Sequence, residues 1–296
     1  MINNLTNHII GNTALSQFAD DSGTWSTGNP NNIKYTTQLQ DDLDSISPWA
    51  TKWGFKIAKD KTIGMLFTVP HRRGPKSTKL HIQGTKITFV KQTSFLGMLL
   101  DDQLTWKHHI TNLVKRCKHD LNILNHLKGT TWGADQQTIL ILYKSLIRSK
   151  LDYGCQIYDS ANKQHLKKLD SIQKHALRVI TGTLPNISLE ELQVLTGEAP
   201  LSIRREEHIL RYAIRNSIHP EINPTRRALN SCPISFDKTL VPQPPACKQV
   251  HLLQQEMPTI LLQEEQRRYQ DLTPWRNKTP TINFTIKAME NKLHNP

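Results

Sequence analysis

The stretch LSQFADDSGTWSTG, residues 15–28, sets two carboxylates side by side at Asp20 and Asp21. Carboxylate oxygens are the ligands that hard divalent cations such as magnesium take, and two-metal phosphoryl transfer needs acids converging on ions roughly 3.5–4 Å apart. Neighbouring residues on a regular strand point to opposite faces, so these two acids can share a cleft only where the chain reverses. The flanking ALSQF and SGTWST are β-prone and predict a hairpin over residues 13–28 with the Asp pair at its reversal. Asp also favours turns for a reason unrelated to catalysis, because its side chain hydrogen-bonds nearby backbone. The pair alone leaves two readings open, a surface turn or half of a metal site.

Charge around the pair is strongly segregated. The 296 residues carry a net charge of +13, yet residues 1–47 hold one basic residue, Lys34, against five acids, and residues 48–128 hold fifteen basic residues against four acids. An acidic island beside a basic field is the pattern expected where a cation is held next to a polyanion. The classes excluded are equally plain. Apolar runs such as TILILYKSLI break well short of the roughly 18–20 residues a bilayer-spanning helix needs, so no membrane partner is expected. MINNLTNHIIGN lacks the basic start and continuous apolar core of a secretory signal. Cys117, Cys155, Cys232 and Cys247 are too widely spaced for a C-x-x-C zinc site, and reduced intracellular thiols follow, with cytoplasm and nucleus both open.

The elements that must position these groups read as follows. Residues 36–53 take a helical period, with Leu39, Leu43, Ile46, Trp49 and Ala50 on one face and a kink or restart expected at Pro48. Residues 62–69 read as a buried strand, HRRGPKST as a loop, KLHIQGTKITFV as two short strands around Gly84, and TSFLGMLLD as a further strand. From Trp106 the apolar residues Ile110, Leu113, Cys117, Leu121, Leu124 and Leu127 recur at three and four, which predicts a long helix ended by Gly129. Further helices are expected over about 135–150, 163–180 and 202–217, with a shorter one over 189–195 opened by a Ser188/Glu191 capping box. Ten of the sixteen prolines lie at or after Pro220, so residues 220–250 read as an extended linker, followed by one helix near 260–269 and a tail.

FADD, then WATKWGFKIAKDKT, then a strand, then TSFLGMLLDDQLTWKHHI occur in an order and spacing that closely resemble the C-terminal half of the reverse transcriptase of non-LTR (LINE) retrotransposons, especially the jockey-like kind. The resemblance covers roughly residues 14–218, including LYKSLIRSKLDYGCQIYDSA, LKKLDSIQKHALRVITG and LSIRREEHILRY, and fades past 220. It implies an α+β fold: a partial polymerase palm of hairpin, helix and short antiparallel strands over 1–101, a helical thumb and following region over 102–218, and a Pro-rich linker and tail over 219–296. Within it Phe18, Ala19, Asp20 and Asp21 match the palm's metal-binding motif, Asp20 as the direct ligand and Asp21 as the supporting acid. The metal implied is magnesium, with manganese as its substitute. Gly54 opens the next motif, where Ala58 stands in place of the usual Asn and Lys61 matches the basic residue near the incoming nucleotide's phosphates. Phe95, Leu96 and Gly97 match the hairpin that holds the primer's 3' end, and Gly97, lacking a Cβ, lets a backbone approach closely.

The function implied is part of an RNA-directed DNA polymerase, with an RNA template, a DNA primer and deoxynucleoside triphosphates as partners. In that family a further metal-binding Asp and the fingers lie upstream of the hairpin, and seventeen residues precede Phe18 here, so this polypeptide alone is expected to have little or no polymerase activity. Lys107, Lys115, Arg116 and Lys118 are the candidate phosphate contacts on the helix that follows Trp106. His108 and His109 read as surface or helix-flank residues, and Tyr143, Tyr153 and Trp132 as packing residues rather than base-stacking ones. Two rivals stand beside this reading, a basic nucleic-acid-binding protein with no use for Asp20 and Asp21, and an interaction protein exposing former packing surfaces. The sequence specifies no oligomeric state.

Overall fold

Alternating β-prone residues on either side of the Asp pair form a hairpin of β1, Ala14–Phe18, and β2, Asp21–Trp25, in which Phe18 lies opposite Asp21 and Ser16 opposite Gly23. The computed structural model describes residues 5, 13–26, 33–68, 79–128, 133–217, 223 and 225–226. Gly129, Trp132, the basic stretch 71–77, the helix expected near 260–269 and nearly all of the Pro-rich region lie outside the described residues. Helix α1, Ile33–Lys52, follows the first hairpin and runs through Pro48 without a restart. Proline there removes a donor from the helix ladder, but flanking hydroxyls bond back within the helix, Ser47 Oγ to the Leu43 carbonyl at 2.9 Å and Thr51 Oγ1 to the Ser47 carbonyl at 3.1 Å. Thr13 donates to the buried Asp42 carboxylate, which ties the hairpin to this helix.

Gly54, at φ 71°, ends α1 in a Schellman motif: Phe55 N–H donates to the Ala50 carbonyl at 2.8 Å and Gly54 N–H to the Thr51 carbonyl at 3.2 Å. The Phe55 ring stacks on Trp49, with centroids 5.4 Å apart. Beyond it the strands are short: β3, Ile63–Gly64; β4, His81–Ile82; β5, Thr85–Lys86; β6, Thr88–Phe89; β7, Gln92–Phe95; and β8, Met98–Asp101. They associate only in pairs, antiparallel for β1 with β2, β4 with β5 and β7 with β8, and parallel for β3 with β6. The buried strand expected over 62–69 is therefore reduced to two residues, with Ile63 and Phe67 exposed, because its one partner spans only two residues. TSFLGMLLD is a hairpin rather than one strand, since Leu96 and Gly97 both take positive φ, 47° and 77°, the type I′ geometry that matches strand twist.

The helical half begins with α2, Lys107–Leu127. The expected helix over 135–150 is α3, Gln136–Leu142, continued by a π-helical turn, Tyr143–Arg148, and by α4, Ser149–Asp152. A short α5, Cys155–Tyr158, has no counterpart in the sequence reading, and α6, Lys163–Thr181, α7, Leu189–Thr196, and α8, Leu201–Ser217, complete the series. Ser188 and Glu191 form the expected capping box at α7. One apolar core joins α2 to α7, with Ile110, Leu124, Tyr143, Ile147 and Leu177 fully enclosed. Ion pairs pin its outer helices: Arg148 and Lys144 to Glu198, Lys150 to Asp120, Arg204 to Asp152 and Arg205 to Asp159. The whole is a mixed α+β fold of small sheets and a multi-helix bundle. Among the described residues no helix is long and apolar enough to cross a membrane.

Candidate functional site

At the first hairpin the reversal consists of two residues, Ala19 and Asp20, with Ala19 in the left-handed region at φ 53°. Asp20 sits at the turn and Asp21 begins β2, both exposed, beside a Phe18 side chain that is 65% exposed. The turn interrupts the strand's alternation, and both acids are open to solvent. They suit one side of a divalent cation's oxygen shell. Among the described residues no group of three His, Cys, Asp or Glu side chains gathers around a potential metal position.

The second hairpin reaches the first through one ring, that of Phe95. Across an antiparallel pair, opposite residues share a face, so Gly23 and Ser16 face the same way as Phe18 and Asp21. A Cβ placed on Gly23 would lie 3.7 Å from Phe95 Cζ, which puts the Phe95 ring on this face, one residue pair along from Phe18 and Asp21. Phe95, Leu96 and Gly97 are thus brought to the Asp-bearing hairpin across more than seventy residues of sequence. The turn is also held from the bundle side. Tyr153 Oη donates to the Leu96 carbonyl at 2.7 Å, and a Cβ on Gly97 would come within 3.3 Å of the Tyr153 ring. Gly154, at φ 65°, lets the chain pass so close to Met98 that a Cβ would fall 2.5 Å from its sulfur. Tyr153 is 59% exposed but packs its ring on the Gly97 turn, and Tyr143 is fully buried.

Asp101 then launches α2. Its buried carboxylate accepts from Gln103 N–H at 3.2 Å, Thr105 N–H at 2.9 Å, Thr105 Oγ1 at 3.2 Å and Trp106 N–H at 3.0 Å. Backbone donors at a helix start have no intrahelical acceptor, and this one side chain satisfies the turn that delivers them. Trp106, buried at φ 60°, fixes the entry by donating from Nε1 to Ser160 Oγ at 3.1 Å. His109 corrects the sequence reading, for it is buried. Leu99 N–H donates to its Nδ1 at 3.2 Å, its ring meets Trp106 and Tyr158, and burial together with the nearby Arg116 charge holds its pKa below the ordinary histidine value. The imidazole is a neutral acceptor tying β8 to α2.

Lys61 is placed apart from these hairpins, exposed on a turn beside the β3 and β6 pair. The Ala58 carbonyl braces that turn, accepting from Lys61 N–H at 3.1 Å, Thr62 N–H at 3.0 Å and Thr62 Oγ1 at 2.9 Å. Lys107, Lys115, Arg116 and Lys118 are all exposed on α2 but do not form one cluster. Lys107 and Lys118 lie on the flank toward α6, near His165 and His175, whose pKa values are lowered by burial first and by neighbouring cations second, while Arg116 lies on the opposite flank near His109. Lys115 projects between them. Cys117 and Cys155 are free and buried, their thiols pushed up to about 11 and about 12 by burial, which makes them unreactive core residues.

Asp101 could have been found from the sequence, since an Asp four and five residues before the Thr and Trp that open a helix is a local capping signal. Tyr153 and His109 carried no such signal, because each acts on a carbonyl or amide far away in sequence.

No protein-family model matches the chain, and no solved structure does. It is 29% identical over 180 residues to the RNA-directed DNA polymerase from mobile element jockey of Drosophila funebris, a match covering 61% of this chain and 19% of that protein. Against the probable RNA-directed DNA polymerase from transposon X-element of Drosophila melanogaster it is 27% identical over 182 residues, covering 59% of this chain and 19% of the relative. The probable RNA-directed DNA polymerase from transposon BS of the same species matches over 239 residues at 26% identity, covering 76% of this chain and 25% of the relative. The chain thus spans about a fifth to a quarter of the length of the curated relatives it matches. At low identity and over part of its length, the chain is homologous to the RNA-directed DNA polymerases of jockey-, R1- and BS-type non-LTR retrotransposons.

Proposed function

We propose that this chain is the C-terminal palm and thumb portion of an RNA-directed DNA polymerase, the part that presents the Asp20/Asp21 turn and grips the primer terminus. The observation that carries this reading is the Phe95 ring lying on Gly23, which joins the FADD hairpin to the FLG hairpin, with α2 launched directly from the latter. In this reading Asp20 ligates magnesium, or manganese in its place, and Asp21 supports it. The metal, when bound, supplies Lewis acidity to the nucleotide's phosphates. Phe95, Leu96 and Gly97 support the DNA primer's 3' end, and the Tyr153 ring, packed where a Cβ on Gly97 would stand, holds the turn that does so. Lys61 faces the deoxynucleoside triphosphate, while Lys107, Lys115 and Lys118 hold the RNA template and DNA primer by their phosphates.

The test is primer extension on an RNA template with the full chain, in magnesium and then manganese, beside D20N/D21N. Two carboxylates are fewer than a two-ion centre uses, so the expected result is little or no extension by this chain alone, with salt-sensitive binding to the primer–template hybrid. Extension abolished by D20N/D21N would instead show that the chain completes an active site. Loss of both extension and nucleic-acid binding would overturn the polymerase reading of this segment.

A further inference from the structure

Helix α8 is fastened to α4 and α5 chiefly by charge. Its first residue, Leu201, enters the shared apolar core, while Ile209 and Ala213 farther along form an apolar pair of their own. Between them Arg204 sets two nitrogens on Asp152, Nε on Oδ1 at 3.1 Å and Nη2 on Oδ2 at 2.5 Å. Arg205 donates from Nε to Asp159 Oδ1 at 2.5 Å, and both of its pair's side chains are largely withdrawn from solvent. A two-point contact between guanidinium and carboxylate fixes direction as well as distance. A charge pair taken out of water also resists separation, because either partner left alone is costly.

The two acids bracket one bend of the chain. Asp152 is the last residue of α4 and Asp159 follows α5, and between them stand Tyr153 and Gly154, the residues that hold the Leu96 turn and Met98. On its inner side the bend is anchored by Leu151, Cys155 and Tyr158, all in the core, with Tyr158 Oη donating to the Leu151 carbonyl. On its outer side the anchors are the α8 arginines. Tyr153, an exposed residue, takes its direction from the backbone that these two sets of contacts fix.

We propose that Arg204 and Arg205 are positioning residues for the Leu96 turn. By holding Asp152 and Asp159 they set the bend that aims Tyr153 at the Leu96 carbonyl and seats Gly154 against Met98. Docking of α8 and ordering of the β7/β8 hairpin are then one coupled equilibrium, and the coupling is reciprocal: whatever orders the hairpin also favours docked α8. This goes beyond the polymerase reading and holds whichever molecule the hairpin takes. Within that reading, α8 governs how firmly the primer's 3' end is seated without touching it.

The test is amide hydrogen exchange of the full chain, free of nucleic acid, so that its failure is separate from failure of the primer reading. R204Q/R205Q is expected to speed exchange over residues 92–101 about tenfold, close to the equivalent of one charged hydrogen bond, while residues 110–124 of α2 keep their wild-type rates. R204K/R205K keeps both charges but loses the two-point contact with Asp152. It should speed the same amides by a smaller factor, and it stands in if the glutamine variant does not fold. Added to Y153F, R204Q/R205Q should change the hairpin little further, because the link is already cut. Wild-type hairpin rates in both arginine variants would overturn the proposal. So would equal acceleration in α2, which marks a general loss of stability, or a full additional effect on Y153F, which marks a route that bypasses the tyrosine.

Discussion

The hairpin half and the helical half of this molecule solve the same packing problem with unequal resources. Residues 13–101 hold strands of two to five residues that associate only in pairs, around two small apolar clusters, one of Leu43, Leu80, Ile82 and Ile87 and one of Leu5, Trp49 and Ala50, while Met98 of β8 joins the core of the helices. Phe18, Trp25, Trp53, Phe55, Ile63 and Phe67 are left exposed there. The helices from α2 to α7 share one continuous core. The difference teaches where stability and chemistry reside. A helix completes its backbone hydrogen bonds within itself and needs only one apolar stripe covered, whereas a two-residue strand depends on a partner elsewhere. Both turns, at Asp20 and at Leu96, sit on the weaker half, and the second is braced by the stronger one, through Tyr153 on Leu96, Gly154 under Met98, and His109 on Leu99.

The sharpest way to break this comparison is to delete equal apolar mass from both halves. Leu124→Ala, in the enclosed core, should cost about 3–5 kcal/mol, and Ile63→Ala, on an exposed two-residue strand, within about 0.5 kcal/mol; urea denaturation of the two variants reads both values. Equal losses would mean that the β3 and β6 pair is packed as firmly as the helices' core. A smaller effect is expected at the brace itself. Tyr153→Phe keeps the ring on Gly97 but removes the hydrogen bond to Leu96, with a loss of about 1 kcal/mol. Its signature is faster amide hydrogen exchange confined to the Gln92–Asp101 hairpin, and unchanged exchange there would show that the bundle does not hold the turn.

The smallest effect is in pH. His109 has a depressed pKa in the fold, so the unfolded chain binds the proton more readily, and stability must fall as pH drops below the ordinary histidine value of about 6.5. His165 and His175 are lowered too and act with the same sign. Denaturant midpoints measured from pH 8 to pH 5 should therefore decline, and His109→Asn, which retains an acceptor without a titrating group, should flatten the decline. A stability that rises toward pH 5 would contradict a neutral, buried His109.

Much of the helical half was legible in advance because its signals are local. The three-and-four spacing from Trp106 to Leu127 located α2, and Ser188 with Glu191 located the start of α7. Pro48 misled, since a proline's lost donor is a local cost that a helix packed on both ends can carry. The stretch 62–69 misled for the opposite reason, as its apolar composition resembles a buried strand while its burial depends on a partner only two residues long. At the candidate site the Asp pair and its turn were legible, but what stands next to them was not.

The sequence by itself determined most of the helices, a reversal at the Asp20/Asp21 pair, the cap at Ser188, and the separation of acidic from basic residues. These rest on propensity, period and charge within a few neighbouring positions. Only the tertiary structure decided that Phe95 lies on Gly23, that Tyr153 holds the Leu96 turn, that Arg204 and Arg205 are spent on Asp152 and Asp159, and that α6 packs beside α2. Each of those contacts joins residues more than forty positions apart, where no local preference acts and the free energy of burying apolar surface chooses the partner.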